Sequence, residues 1–185
     1  MSSQIIAFVG SPRKNGFSFQ LLQELIKGAE SRGASVKSYD LNDPGFRGCQ
    51  GCYACRDSSV CVQQDTLQPF FTEVKTTTGI VVASPIYFAD ISGQTKMWLD
   101  RMFPMLDGRS FAPLHPGKRV VNIFAQGDGN PDRFKPAIER LSGVMRTFGW
   151  KIEDNIVCGG VGGAGFSLPE ELKKYAFAAG EKLAE

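Results

Sequence analysis

Three short apolar runs restrict what this chain can fold into: QIIAFVG at 4–10, GIVVAS at 79–84 and RVVNIFAQ at 119–126. None shows the apolar–polar alternation of a strand with one wet face. Runs of this kind are strands covered on both sides, as in the middle of a parallel sheet. Amphipathic stretches separate them. Over 17–32, Leu21, Leu22, Leu25, Ile26 and Ala29 recur at helical spacing. Further helices are predicted at 65–75, 93–103, 132–148 and 169–183. Two more strands, SVKSYDL at 35–41 and KIEDNIVC at 151–158, mix polar with apolar residues, which suits sheet edges. Strands alternating with helices indicate βαβ units.

Five parallel strands with the second and fifth at the edges have the order 2-1-3-4-5. This is the flavodoxin-like winding, an α/β three-layer sandwich, and the dinucleotide-binding order would instead bury the second strand. The ligand crevice of such a sheet lies where the winding reverses, between the first and third strands, just beyond Gly10 and Ser84. No repeat or linker interrupts the pattern, so a single domain over 1–185 is expected, with a cysteine-rich loop at 48–62.

Charge narrows the function. The 21 basic and 19 acidic residues leave +2, with no basic stripe, which argues against nucleic acid. No apolar run approaches the ~20 residues that span a bilayer, so no membrane partner is expected. The start, MSSQIIAFVGSP, lacks a basic leader, and a cytoplasmic location is expected. Disulfides are disfavoured there, so clustered cysteines point to metal or redox work.

Three loops reach the expected crevice. The first, GSPRKNGFS at 10–18, lacks both G-x-G-x-x-G and Gly-Lys-Ser/Thr. It offers Ser11, Arg13, Asn15 and Ser18 beside a helix N-terminus, a site for a phosphate monoester. The plainer reading is a polar loop with Ser18 as a helix cap. The second, SPIYFADISGQ at 84–94, places Pro85, Ile86, Tyr87 and Phe88 where amides and aromatic surface meet a flat ring; alternatively, its aromatics pack on the next helix. The third, AQGDGNPD, brings Gln126 and Gly127. A phosphate tail joined to a flat heterocycle suggests FMN.

Cys49, Cys52, Cys55 and Cys61 follow C-x2-C-x2-C-x5-C. Four readings stay open: a [4Fe–4S] cluster on four thiolates, structural zinc, a metal-free redox dithiol, and small residues packing a loop. The long insert usual between zinc knuckles is missing. Cys158 reads as a buried strand-end residue and His115, the lone histidine, as a solvated loop residue. Met97 and Trp98 read as packing against the sheet or a partner subunit, and Lys96, Asp100 and Arg101 as a solvated or interfacial charged face.

GSPRKNGFS, CQGCYACRDSSVCVQQD and SPIYFADISGQTKMWLDR, in this order, resemble the NADPH-dependent FMN reductase family in its iron–sulfur flavoprotein branch. The likeness covers roughly residues 4 to 160. It implies that Ser11, Arg13, Asn15 and Ser18 hold the FMN phosphate, with Pro85 to Phe88 along the isoalloxazine. It implies cluster ligation by the four cysteines, and a homodimer or homotetramer with flavin sites at subunit contacts. The implied activity is FMN-dependent oxidation of NAD(P)H, with electrons passed to a small-molecule or protein acceptor. No protein acid or base is expected to be catalytic, because the chemistry is the cofactor's. Two alternatives stand beside it: a flavodoxin-like electron carrier without NAD(P)H oxidation of its own, and a zinc-stapled binding module.

Overall fold

The computed structural model describes residues 3–163 and 165–185. Five strands, β1 (Gln4–Val9), β2 (Ser35–Asp40), β3 (Gly79–Tyr87), β5 (Arg119–Ala125) and β6 (Lys151–Cys158), run parallel in the order β2-β1-β3-β5-β6. This is the flavodoxin-like winding, with the predicted edges at the edges. The strand count is six rather than five, because β4 (Asp90–Ile91) pairs antiparallel with the end of β3.

Alternate residues of each strand feed opposite faces, as the pleat requires. Ile6, Phe8, Ile80, Val82, Val120 and Phe124 face one way. They are covered by α3 (Phe70–Glu73), α4 (Gly93–Asp100) and α5 (Lys135–Thr147). Ile5, Ala7, Val9, Val81, Ala83, Val121 and Ile123 face the other way, against α1 (Phe17–Ser31) and α6 (Glu170–Ala184). A further turn, α2 (Cys55–Ser58), lies in the cysteine loop. Trp98 of α4 is fully buried with its ring 4.6 Å from that of Phe8. α1 and α6 approach so closely that a Cβ on Gly28 would lie 1.9 Å from the Phe177 carbonyl oxygen.

Two elements depart from the expected boundaries. The helix predicted at 65–75 shrinks to the four residues of α3: Pro69 opens it, and the β-branched run Thr76–Thr78 follows it into β3. β3 outruns its predicted end at Ser84 and takes in Pro85, Ile86 and Tyr87. The register of β1 on β3 stops at Ala83, while β5 follows β3 as far as Pro85. Pro85 therefore sits on the side that β1 has vacated, where its missing N–H costs no ladder bond. The chain then reverses through Phe88 and Ala89, at φ 47° and 67°, as a two-residue hairpin with both turn residues left-handed.

Candidate functional site

The crevice at the winding switch is walled by the start of α1 and the end of β3. Gly16 is the N-cap of α1, with no side-chain cap and no acidic residue in the first turn. The N–H groups of Phe17, Ser18 and Phe19 lie in the turn that has no intrahelical acceptor. Among the described residues no side chain caps them and no acidic residue stands in the first turn, so their partial positive charge is open to an anion. Ser18 is not the cap: it is the second helical residue and is buried. Ser11 is buried, its Oγ accepting from Arg13 N at 3.2 Å, so its hydroxyl shapes the loop. Arg13 and Asn15 are exposed.

Opposite, Pro85 and Ile86 are buried in β3, Tyr87 is half-exposed and Phe88 is wholly exposed at the hairpin tip. Arg140 of α5 donates to Asp90 Oδ2 at 2.7 Å and anchors the returning strand. Gln126 is buried; its Nε2 donates to the carbonyls of Asp128 and Asn130 at 3.2 and 2.6 Å, shaping the third loop, while Oε1 has no protein partner. Gly127 is exposed beside it.

A buried hydroxyl network, whose Gly10 and Ser84 the sequence marks only as bounds of the crevice, locks the end of β1 to β3 and α4. Ser92 Oγ donates to the Gly10 carbonyl at 2.7 Å and, as N-cap of α4, accepts from Thr95 N at 3.2 Å. Ser84 Oγ receives Ser92 N at 3.1 Å and Thr95 Oγ1 at 3.0 Å. The ends of β1 and β3 and the start of α4 are thereby one unit. Ser92 could have been found as an N-cap before an amphipathic run; Ser84 and Thr95 carry no local signal.

The four loop cysteines line one cavity of about 30 Å³, together with Gln63, Arg101, Phe103 and Pro104. Cys49 and Cys52 are exposed, and Cys55 and Cys61 partly buried. Burial chiefly pushes the Cys55 thiol up, and the neighbouring Cys61, Cys49 and Cys52 add to it against an opposing backbone bond. The loop backbone is tightly wound, with Tyr53 at φ 59° and Ser59 at φ 54°. Among the described residues no three His, Cys, Asp or Glu side chains converge in metal-holding geometry. The donors nonetheless suit a thiolate-held centre in kind and number. Arg101 also lines this cavity, and its buried Nε has no protein partner.

Arg101 corrects the sequence reading. Lys96 and Asp100 do form an exposed i, i+4 pair, but Arg101 is fully buried and ion-paired to Asp65, itself 3% exposed. Cys158 is buried as expected, and burial pushes its thiol up to about 11. His115 precedes β5, at the opposite end of the sheet from the crevice. It is partly buried, and desolvation, then Lys118 and Lys75, holds it below the usual histidine range.

The model of the NADPH-dependent FMN reductase family matches residues 3–128. The chain belongs to that family. Membership makes it an oxidoreductase built around FMN, and its curated relatives include the iron–sulfur flavoproteins. One of these, from Archaeoglobus fulgidus, is 28% identical over 183 residues, covering 97% of this chain and 78% of that protein. The FMN reductase (NADPH) of Escherichia coli is 31% identical over 66% of this chain and 60% of its own length. Among solved structures, the NAD(P)H:quinone oxidoreductase from Methanothermobacter marburgensis superposes with a TM-score of 0.79 at 19% identity, covering 100% and 98% of the two chains. At that identity the likeness speaks for the fold. Among the described residues no helix is long and apolar enough to cross a membrane.

Proposed function

We propose that this chain binds FMN at the switch-point crevice, takes a hydride from NADH or NADPH onto it, and delivers the electrons to a small-molecule or protein acceptor. The observation that carries the reading is the uncapped N-terminus of α1 at the winding switch, beside the end of β3, which the Ser84–Ser92–Thr95 network ties to Gly10 at the end of β1. The α1 N–H groups and Arg13 bind the phosphate. Pro85 to Phe88, at the end of β3 and its hairpin, stand beside the crevice and would flank the flat ring. Gln126, held by its Nε2, keeps a free Oε1 at the third loop. FMN, when bound, supplies hydride acceptance and release of electrons singly or in pairs. No protein acid or base is required, because the hydride chemistry is the cofactor's.

The four cysteines are the ligand set for a [4Fe–4S] cluster, which when present supplies one-electron storage. Wound backbone at Tyr53 and Ser59, each costing of order 1–3 kcal/mol, is what a loop shaped around such a centre would retain. Phe88, wholly exposed at the hairpin tip, is the natural contact for a second copy in a homodimer or homotetramer. Anaerobic stopped flow with NADH and NADPH tests the reductase reading. Bleaching of the bound flavin by either is expected. If neither bleaches it, hydride transfer is lost as a function and an electron carrier remains. Iron and acid-labile sulfide in anaerobically purified protein test the cluster.

A further inference from the structure

Among the described residues Arg101 is the most deeply buried cation, its side chain wholly inaccessible. Its carboxylate partner is Asp65, and the same Nη1 donates to the Arg47 carbonyl at 3.1 Å. Asp65 is fully engaged in turn, accepting from Arg47 N at 3.2 Å through Oδ2 and from Leu67 N at 3.1 Å through Oδ1. The guanidinium lies 5.7 Å from the Phe46 ring and 5.9 Å from that of Phe71. These contacts tie the entry and exit of the cysteine loop to the end of α4 and account for half of the fork. The other half is spent differently: Nη2 points at Cys61 Sγ, 3.4 Å away, and Nε has no protein acceptor. A neutral thiol is a weak acceptor, and a buried guanidinium N–H left on one recovers little of its desolvation cost. A thiolate, free or metal-bound, is a strong acceptor for the same N–H.

We propose that Arg101 is the positioning residue of the cysteine centre, its Nη2–H holding the Cys61 sulfur as a ligand while Asp65 fixes the direction of that bond. The proposal rests on the reading of the four cysteines as cluster ligands. Hydrogen bonds to cluster sulfurs stabilise the reduced, more negative state and so raise the potential. Lysine at this position keeps a charge but loses the planar fork, and cannot serve Asp65, the Arg47 carbonyl and the sulfur together.

The test compares wild type, Arg101→Lys and Asp65→Asn, each full length with FMN bound and purified without oxygen. Iron and sulfide per chain are measured, then the cluster potential by dithionite titration followed by electron paramagnetic resonance. In Arg101→Lys a shift of the one-electron equilibrium toward the oxidised form by roughly tenfold is expected, about 59 mV for one electron. Iron loss to a chelator should be faster, with FMN content unchanged. Asp65→Asn should move both quantities the same way by less. Wild type lacking iron and sulfide overturns the cluster reading and this proposal with it. Wild type with its cluster, but Arg101→Lys matching it in potential, spectrum and iron retention, overturns this proposal alone and leaves Arg101 a structural tie. If Arg101→Lys loses FMN, Asp65→Asn is read on the same quantities, and unchanged values there overturn the proposal.

Discussion

Gly10 stands where the end of β1 meets α4, and it has no room for a side chain. A Cβ there would lie 1.9 Å from Thr95 Oγ1 and 3.1 Å from the Ala83 carbonyl oxygen. Thr95 cannot yield without releasing Ser84, and Gly10 itself is held through its carbonyl by Ser92. Gly10→Ala is therefore expected to lower stability by about 1–3 kcal/mol, the usual cost of overpacking a tight site. In urea the unfolding midpoint should fall with the slope unchanged. An unchanged midpoint would show that the network is slack. Its hydroxyls were not legible in the sequence, because each is an ordinary Ser or Thr and only folding joins them. Arg101 was misread for a related reason. Lys96, Asp100 and Arg101 at the end of a helix look like one charged face, and two of them are. The third turns inward to an aspartate 36 residues earlier, a partner no local pattern announces.

At the level of elements, the strands were legible and one helix was not. Strands covered on both faces admit few polar residues, such as Asn122 and Ser84, each hydrogen-bonded, so β1, β3 and β5 stood out as apolar runs. α3 was overdrawn because Leu67, Phe70, Phe71 and Val74 are all buried, although the helix itself lasts a single turn. α3 meets the edge strand β2 through the Tyr39 ring, set edge-on to Phe70, and through polar bonds: Tyr39 Oη donates to Glu73 Oε2 at 2.7 Å, and Lys37 Nζ to Glu73 Oε1. Burial works to raise the Glu73 carboxyl, but the bonds from Lys37 and Tyr39 outweigh it and hold it below its ordinary 4.5. A depressed folded value means stability that is present above about pH 4.5 and is lost as pH falls through the folded value. Glu73 is about one-third exposed and Lys37 more so, so solvent screening limits the pair to under about 1 kcal/mol. Wild type should therefore exceed Glu73→Gln in urea stability at pH 7, and the difference should shrink as pH falls below 4.5 through the folded value. A difference that persists in acid would place the effect in packing rather than charge.

For the whole molecule, α4 is the element that relates the two candidate sites. Its first turn carries Thr95 into the network behind the crevice, and the residue capping its far end is Arg101, on the cysteine cavity. Eight residues at 1.5 Å rise make a rod about 12 Å long, anchored at each end by buried polar bonds. The winding order, and hence the crevice, was readable from which strands are apolar throughout. The bracing between crevice and cysteine loop was not, since it depends on contacts between segments far apart in the chain. The ligand-bearing parts nevertheless come from separate loops: Arg13 precedes α1, and Cys52 lies in a segment tied down by Asp65 and Arg101 rather than by α1. Substitutions at positions without shared partners act nearly independently. Arg13→Ala is expected to weaken FMN binding by about 1.5–3 kcal/mol, the range of a charge-assisted contact, and to leave iron content unchanged. Cys52→Ser should remove iron and leave FMN bound. Equilibrium dialysis of FMN and iron assays on both variants check this together. If Cys52→Ser also sheds the flavin, the cysteine loop is part of the crevice wall, and the bracing through α4 carries more than position.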